Sequence, residues 1–290
     1  LNENAVRAIT REGASLMITA DWGITAVREV ELASSLGLDV IITDHHQVGR
    51  EGLPKAVAIL NPHRSNCEYP YRFLSGVGLA FKLAVAVRTS LYKKMNWDKD
   101  RLPNMKRHLD LVALGTIADV APLTGENHTL VRHGLEVLAT TDKAGLVALK
   151  AVSDVDNGVT ARSVGFALGP RLNAAGRLGK ADNGFHLLTS VDLKEAKELA
   201  QELNVINQER KDIQKLVQDE AEYLIGREVN LEEDRVIVLA SENFHSGVVG
   251  IVASWVVEKY FRPAVLIALE NGVGKGSGRS IPHFNLHRAF

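Results

Sequence analysis

The chain has 290 residues, 46% hydrophobic and 24% charged, which suits one large globular domain or two ordinary ones and excludes disorder and collagen-like repeats. With 34 Lys+Arg against 35 Asp+Glu the net charge is -1, so a globally basic nucleic-acid binder is excluded while a local basic groove is not. One cysteine, Cys67, excludes a disulfide framework or a Cys-rich zinc site and fits a reducing, cytoplasmic setting. No apolar run reaches the roughly 18 residues of a membrane span. The chain starts at Leu1 and stops at Phe290 in mid-pattern, which reads as a fragment truncated at both ends.

Taken in order, Leu16–Ala20 is a short apolar run closed by Asp21-Trp22-Gly23. Val27, Val30 and Ser34 then recur at helical spacing, with Gly37 as a stop. Val40–Thr43 is a second strand pattern, closed by Asp44-His45-His46, and Ala56–Leu60 a third, closed by Asn61-Pro62. Near-continuous apolar strands alternating with helices predict an α/β fold with a parallel sheet covered on both faces. Residues 75 to 190 read mostly helical: Ser75 caps one helix, Leu109–Ile117 is another with a break at Ala118-Asp119, and Thr160 caps a third that ends before Gly169-Pro170. Asp192 and Glu195 then form a capping box for the longest helix, expected over about Asp192 to Arg227. Arg235–Leu239, a helix from about Gly247 to Lys259 and Ala264–Leu269 start a new α/β unit, so the long helix reads as a linker between two lobes. No internal repeat stands out.

Two parallel neighbouring strands with right-handed crossover would bring Asp21 and Asp44-His45-His46 to one carboxyl edge. Carboxylate oxygen with imidazole nitrogen is a ligand set for Mn²⁺, Zn²⁺ or Fe. Adjacent residues of an extended segment point opposite ways, so only one of His45 and His46 is expected to meet a metal. Residues 162–181 carry Arg162, Arg171, Arg177 and Lys180 and no acid. Residues 271–290 carry Lys275, Arg279 and Arg288, with His283 and His287, again without an acid. Both segments are glycine-rich, a composition that lets backbone approach phosphate while Arg supplies bidentate contact. His63, His108, His128, His133 and His186 lack partners at ligand spacing and read as surface or structural, as does Cys67.

Thr43-Asp44-His45-His46 resembles the signature of the DHH phosphoesterases, and Thr19–Ile24 resembles that family's second acidic motif. Ser75–Phe81, Leu111–Leu123, Gly169–Leu178, His245–Ser254 and Lys275–Ser280 are similar, in order, to the RecJ branch, the single-strand-specific exonucleases. The resemblance implies a DHH domain over residues 1–190, a linker helix over 191–228 and a smaller DHHA1-type substrate-binding domain over 229–290. It lacks the family's earlier Asp-x-Asp-Gly strand at one end, and a Gly-Gly-His segment and OB-fold at the other. It implies Mn²⁺ or Mg²⁺ held by Asp21, His45 and Asp119, with His46 facing the scissile phosphate and Asp44 orienting an imidazole. Asp110 competes with Asp119 and is expected on a solvated helix face. Arg171, Asn173, Arg177, His245, Gly247, Lys275, Ser277 and Arg279 are the implied substrate-binding residues.

The activity so implied is 5′-to-3′ hydrolysis of single-stranded DNA to 5′ mononucleotides, in DNA repair and recombination. A helicase or single-strand-binding protein would be its partner, and this fragment is expected to be inactive. The alternatives are a phosphodiesterase on short oligonucleotides, cyclic dinucleotides or pyrophosphate, and a non-catalytic scaffold on the same fold.

Overall fold

A computed structural model describes residues 2–95, 98, 102–155, 158–179 and 181–289, with backbone alone at 95 and 287. Lys180 lies outside the described residues, as does the side chain of His287. The chain divides into two compact units, Leu1–Gly169 and Pro170–Phe290. Among the described residues no helix is long and apolar enough to cross a membrane.

The first unit opens with α1 (Glu3–Arg11), capped by Asn2, whose side-chain oxygen accepts the Ala5 N–H at 2.9 Å. Then come β1 (Leu16–Ala20), α2 (Val27–Ser35), β2 (Asp39–Thr43) and β3 (Ala58–Leu60). The three strands form a parallel sheet in the order β1-β2-β3, with Ile18 opposite Ile41 and Ile42 opposite Ile59. One face buries Met17, Val40 and Ile42 against Val6 of α1 and Val30 and Ala33 of α2. This is the period-two strand meeting the helical stripe, and burial of such side chains contributes about 1.5–3 kcal/mol each.

Next follow α3 (Gly76–Met95), which packs on β1 and β2, a 3-10 turn (Met105–His108), α4 (Leu109–Ala118), α5 (Gly125–Ala139), α6 (Ala144–Val152) and α7 (Ala161–Ser163). α4 buries residues on every side, Val112, Ala113, Leu114, Thr116 and Ile117 among them, as a helix enclosed by its neighbours must. It crosses α5 at Gly134, where an added Cβ would stand 2.2 Å from the Leu109 carbonyl oxygen and 2.6 Å from the Ala113 Cβ. Gly134→Ala should therefore push the two helices apart and destabilise the first unit by about 2 kcal/mol, despite the better helix propensity of alanine. Urea denaturation measures this, and an unchanged midpoint would show that the crossing has slack.

Thr160 caps α7 as the sequence predicts: its hydroxyl accepts the Ser163 N–H at 3.1 Å, and the Ser163 hydroxyl accepts the Thr160 N–H at 2.9 Å. The helical path does not stop before Gly169-Pro170, however. A π turn (Val164–Leu168) leads directly into α8 (Gly169–Arg177). Pro170 has no N–H to give a preceding turn, and the widened π turn accommodates that loss where a regular helix would clash.

The second unit holds α9 (Asp182–Thr189), α10 (Leu193–Glu228), β4 (Ile237–Ser241), α11 (Val249–Tyr260), β5 (Ala264–Glu270), β6 (Val273–Arg279) and α12 (Leu286–Ala289). Asp192 caps α10, accepting the Lys194 and Glu195 N–H groups at 2.6 and 3.2 Å. The Glu195 carboxylate takes the Ser190 hydroxyl at 2.7 Å instead of closing the box. The first half of α10 buries Ala196, Ala200 and Leu203 and packs against α9. Its second half puts Val217, Ala221, Leu224 and Ile225 into a core with Ile237, Leu239, Val252, Val256 and Leu266.

β4 and β5 are parallel, and β6 runs antiparallel beside β5, with Leu266 opposite Ser277 and Ala264 opposite Arg279. β6 lies within the basic, glycine-rich segment 271–290. After Val273 it alternates glycine with Lys275, Ser277 and Arg279, so no run of apolar side chains signals a strand. The glycines lie so close to β5 that a Cβ at Gly274 or Gly276 would stand 2.9 or 3.1 Å from the Ile267 side chain.

Candidate active site

The carboxyl edge of the first sheet carries the acidic and imidazole groups. Asp21 leaves β1 with a φ of 67°, its N–H donating to the Thr43 carbonyl at 2.9 Å. Asp44 follows β2 with its N–H on the Leu60 carbonyl at 3.0 Å, and the Thr43 hydroxyl donates to the Thr19 carbonyl at 2.7 Å. These bonds carry the ladder one residue past the strands and hold both turns rigidly side by side.

His45 Nε2 lies 3.0 Å from Asp21 Oδ1 and 3.5 Å from Asp119 Oδ2. Neither contact has hydrogen-bond geometry, and this nitrogen is buried without a hydrogen-bond partner. Ligand atoms of Asp21, His45 and His46 lie within 4.8 Å of one another. Two carboxylates aimed at one unbonded, buried imidazole nitrogen are a donor set that fits a divalent cation. The neighbouring Asp21 carboxylate raises the His45 pKa against the opposing effect of burial, and the Asp119, Asp21 and Asp44 charges add to the rise. Asp119 is raised by burial and by Asp21, against the pull of His45 and His46.

His45 and His46 do not diverge as an extended segment would require. Their ring centroids are 4.6 Å apart, because β2 ends at Thr43 and the pleat no longer sets side-chain direction. Asp44 is 1% exposed and takes no place among the grouped donors. Its carboxylate accepts the Ile24 N–H at 2.9 Å, the His46 N–H at 3.1 Å and the His46 Nδ1–H at 2.7 Å. Burial pushes its pKa up, but the Ile24 and His46 hydrogen bonds outweigh that and leave it lowered. An ionised Asp44 fixes the His46 ring with Nε2 as its free nitrogen.

Asp119 reaches the cluster because α4 ends just there. The Val120 N–H bonds the Ile117 carbonyl at 3.0 Å and the Ala121 N–H the Thr116 carbonyl at 3.2 Å, a Schellman closure with Val120 at φ 58°. Asp110, expected in solvent, is instead fully buried: it meets Lys143 Nζ at 2.5 Å, the Thr141 hydroxyl at 2.8 Å and the Leu111 N–H at 2.7 Å. The helix face that looked polar in sequence is covered by the α5–α6 turn, which brings its own lysine.

Three contributors were not singled out as site residues in the sequence. Gly76 sits against Asp21, where a Cβ would stand 2.2 Å from the carboxylate oxygen, so only glycine lets α3 close on the site. A pocket of about 250 Å³ lined by Asp21, Ser75, Gly76, Gly115 and Asp119 results. Asn61, buried at the end of β3, donates to the His46 carbonyl at 2.9 Å and accepts the His63 N–H at 2.7 Å. His63 in turn lies on Gln47 at 3.2 Å, next to the histidine pair, and burial, then the His45 and Arg72 charges, lower its pKa.

The second unit holds a cationic group of its own. Arg177 donates to the Gly247 carbonyl at 3.3 Å, and a Cβ at Gly247 would lie 2.3 Å from the Arg177 carbonyl oxygen. Arg279 donates to the Ser277 hydroxyl at 2.9 Å and the Gly278 carbonyl at 2.7 Å. Ser277 and Arg279 flank the first turn of α11, where a Cβ on Gly250 would meet them at 3.0 and 3.1 Å. His245 Nδ1 accepts the Gly247 N–H at 3.0 Å, which leaves Nε2 as its donor. Lys275 is exposed and shares the Ser277–Arg279 face of β6. Asn173 is exposed, and Arg171 is directed at Asn204, with Nε to Oδ1 at 2.9 Å.

Arg210 was not singled out in the sequence, because on α10 it looks like any solvated cation. Desolvation and then Arg279 lower the Arg177 pKa, and desolvation and then Arg177 lower that of Arg210. Arg177, Arg210 and Arg279 donate to neutral acceptors, Arg210 to Gln214 at 2.6 Å and Asn207 at 2.8 Å. Three guanidiniums gathered on neutral partners leave their charge available to an anion.

A family profile described as the DHH family, N-terminal domain, matches residues 1–116. The single-stranded-DNA-specific exonuclease RecJ of Bacillus subtilis is 45% identical over 288 residues, covering 98% of this chain and 35% of that protein. That of Escherichia coli is 42% identical, covering 100% of this chain and 51% of that protein. A crystal structure of exonuclease RecJ bound to manganese superposes with a TM-score of 0.80 at 33% identity, over 100% of this chain and 69% of that one. The chain belongs to the RecJ family. RecJ of Thermus thermophilus with Mn²⁺ superposes at 0.77 with 30% identity, covering 97% of this chain and 44% of that one. The chain thus spans between about a third and a half of the curated RecJ proteins it matches. Its mixed α/β fold, with a parallel sheet in the first unit, is the RecJ fold.

Proposed function

We propose that the protein is a metal-dependent exonuclease that hydrolyses single-stranded DNA from the 5′ end to 5′ mononucleotides. The observation that carries this is the buried, unbonded His45 Nε2 facing the Asp21 and Asp119 carboxylates in a chain of the RecJ family. Asp21, His45 and Asp119 would hold Mn²⁺ or Mg²⁺, with the His46 ring beside them. The ion, when bound, supplies an acidified water and charge for the phosphoryl oxygens.

The chain's own residues do the rest. Asp44 accepts the His46 Nδ1–H and so holds the ring with Nε2 turned to the scissile phosphate. Asn61 fixes the backbone of the same histidine. Arg177, Arg210, Arg279, Lys275, Ser277 and His245 offer donors to strand phosphates, a surface that suits one strand because it reads backbone charge. In this reading residues 1–190 are the catalytic domain, 191–228 the linker helix and 229–290 the substrate-binding domain. A cytoplasmic setting and a helicase or single-strand-binding protein as partner complete it.

With Mn²⁺, a 5′-phosphorylated single strand should yield mononucleotides from its 5′ end, and a blunt duplex of the same sequence should not. Cleavage that persists in excess chelator, or equal rates on both substrates, overturns the reading. Arg279→Ala and Arg210→Ala should each weaken single-strand binding and lower the slope of log affinity against log salt by about one. Unchanged slopes would return these arginines to ordinary surface charge.

A further inference from the structure

We infer that the exposed apolar residues Phe73, Val120 and Leu123, on two segments tied together next to Asp119, receive an unstacked nucleobase beside the scissile phosphate; this shelf deepens the nuclease reading and rests on it. Val120 is the residue that first points there. It occupies the left-handed position of the α4 Schellman closure, φ 58°, where glycine is the unstrained choice and a β-branched side chain is a true outlier. Packing does not compensate, because Val120 is 87% exposed. Strain that burial does not offset persists where the side chain serves something other than stability, and this one adjoins Asp119.

The rest of the shelf is built rather than incidental. Phe73 is 54% exposed and Leu123 39%. The wholly buried Asn127 amide ties the two segments together, donating to the Phe73 carbonyl at 2.6 Å and the Pro122 carbonyl at 3.0 Å. The Tyr71 ring backs that of Phe73 edge-on at 5.9 Å, and its hydroxyl donates to Pro122 at 3.2 Å. A Cβ on Gly125 would lie 2.6 Å from the Tyr71 ring, so glycine there, at φ 49°, is what lets the tyrosine in. Leu74, Ser75 and Gly76 then run inward from Phe73 to the Asp21 carboxylate. An exposed aromatic face held by buried polar bonds, continuous with an acid–imidazole cluster, has the chemistry of a base-stacking platform.

The test uses two 5′-phosphorylated single strands, one intact and one with abasic residues in its first three positions. The native protein should show a KM about ten-fold lower for the intact strand, in the range expected of one stacked base. Phe73→Ala should raise the intact-strand KM to the abasic value with kcat within about two-fold, and Phe73→Trp should restore it. Val120→Gly should raise Tm by about 2 °C through relief of strain and still weaken the intact strand. Equal native KM values for the two strands, or variants that keep the native preference, overturn the shelf. If neither strand is hydrolysed, the nuclease reading falls, and equilibrium affinities for the same two strands still decide on the shelf.

Discussion

Asp119→Asn should abolish single-strand hydrolysis while leaving the fold intact. The amide keeps the shape of the side chain and removes one of the two carboxylates facing His45 Nε2. Loss of a group that only supports a ligand costs about 10–100-fold in affinity or activity, so loss of a group facing the ion should exceed about 100-fold in both. Mn²⁺ titration followed calorimetrically measures the binding half, and turnover of a 5′-labelled strand the other. Stability should not fall. Asp119 sits partly buried beside Asp21, a crowding that raises its pKa, so neutralising it relieves the metal-free protein. A variant that keeps Mn²⁺ affinity and turnover would remove Asp119 from the site.

Asp110→Ala should do the reverse. This acid stands on the same helix nine positions earlier, and its side chain is held by Lys143, Thr141 and the Leu111 N–H. Removing it takes the counter-charge from the Lys143 ammonium, which is 22% exposed and keeps the Arg107 carbonyl as an acceptor, and leaves the Thr141 hydroxyl without Asp110 as its acceptor. Breaking a buried pair from one side costs about 3–5 kcal/mol, and the partly wet lysine sets the lower end here. Tm should drop by roughly 6–12 °C. Hydrolysis per folded molecule should stay native, because Asp110 faces the α5–α6 turn and not the histidines. A Tm within a degree of native would mean that Lys143 finds water at no cost, and a selective loss of turnover would make Asp110 part of the active site.

These two acids show where local pattern stops being informative. Both lie in or beside one apolar helix, and in sequence Asp110 reads as the solvent-facing one. Periodicity reports which face of an isolated helix is apolar. It does not report that Thr141 and Lys143, more than thirty residues on, fold back over that face. The expectation that His45 and His46 diverge failed for a related reason, since the pleat rule applies to strand residues and β2 ends at Thr43. The glycine-paired strand β6 and the passage of the helix through Gly169-Pro170 were hidden because an alternation of glycine with polar residues, and a proline, each look locally like a break.

What the sequence by itself determined is the part governed by local rules: apolar runs that become parallel strands, acids placed at their carboxyl ends, the caps at Thr160 and Asp192, and the ordered motifs of the RecJ family. Right-handed crossover alone then requires Asp21 and Asp44 to share an edge. What only the tertiary structure decided is which groups meet there. Asp119 reaches His45 from seventy-four positions away, Gly76 closes on Asp21, Asn61 braces His46, and Arg210 joins Arg177 and Arg279. Each of these depends on helices packing to within an ångström or so of one another, and that closeness comes from side-chain volumes across the core, which no pattern along the chain records.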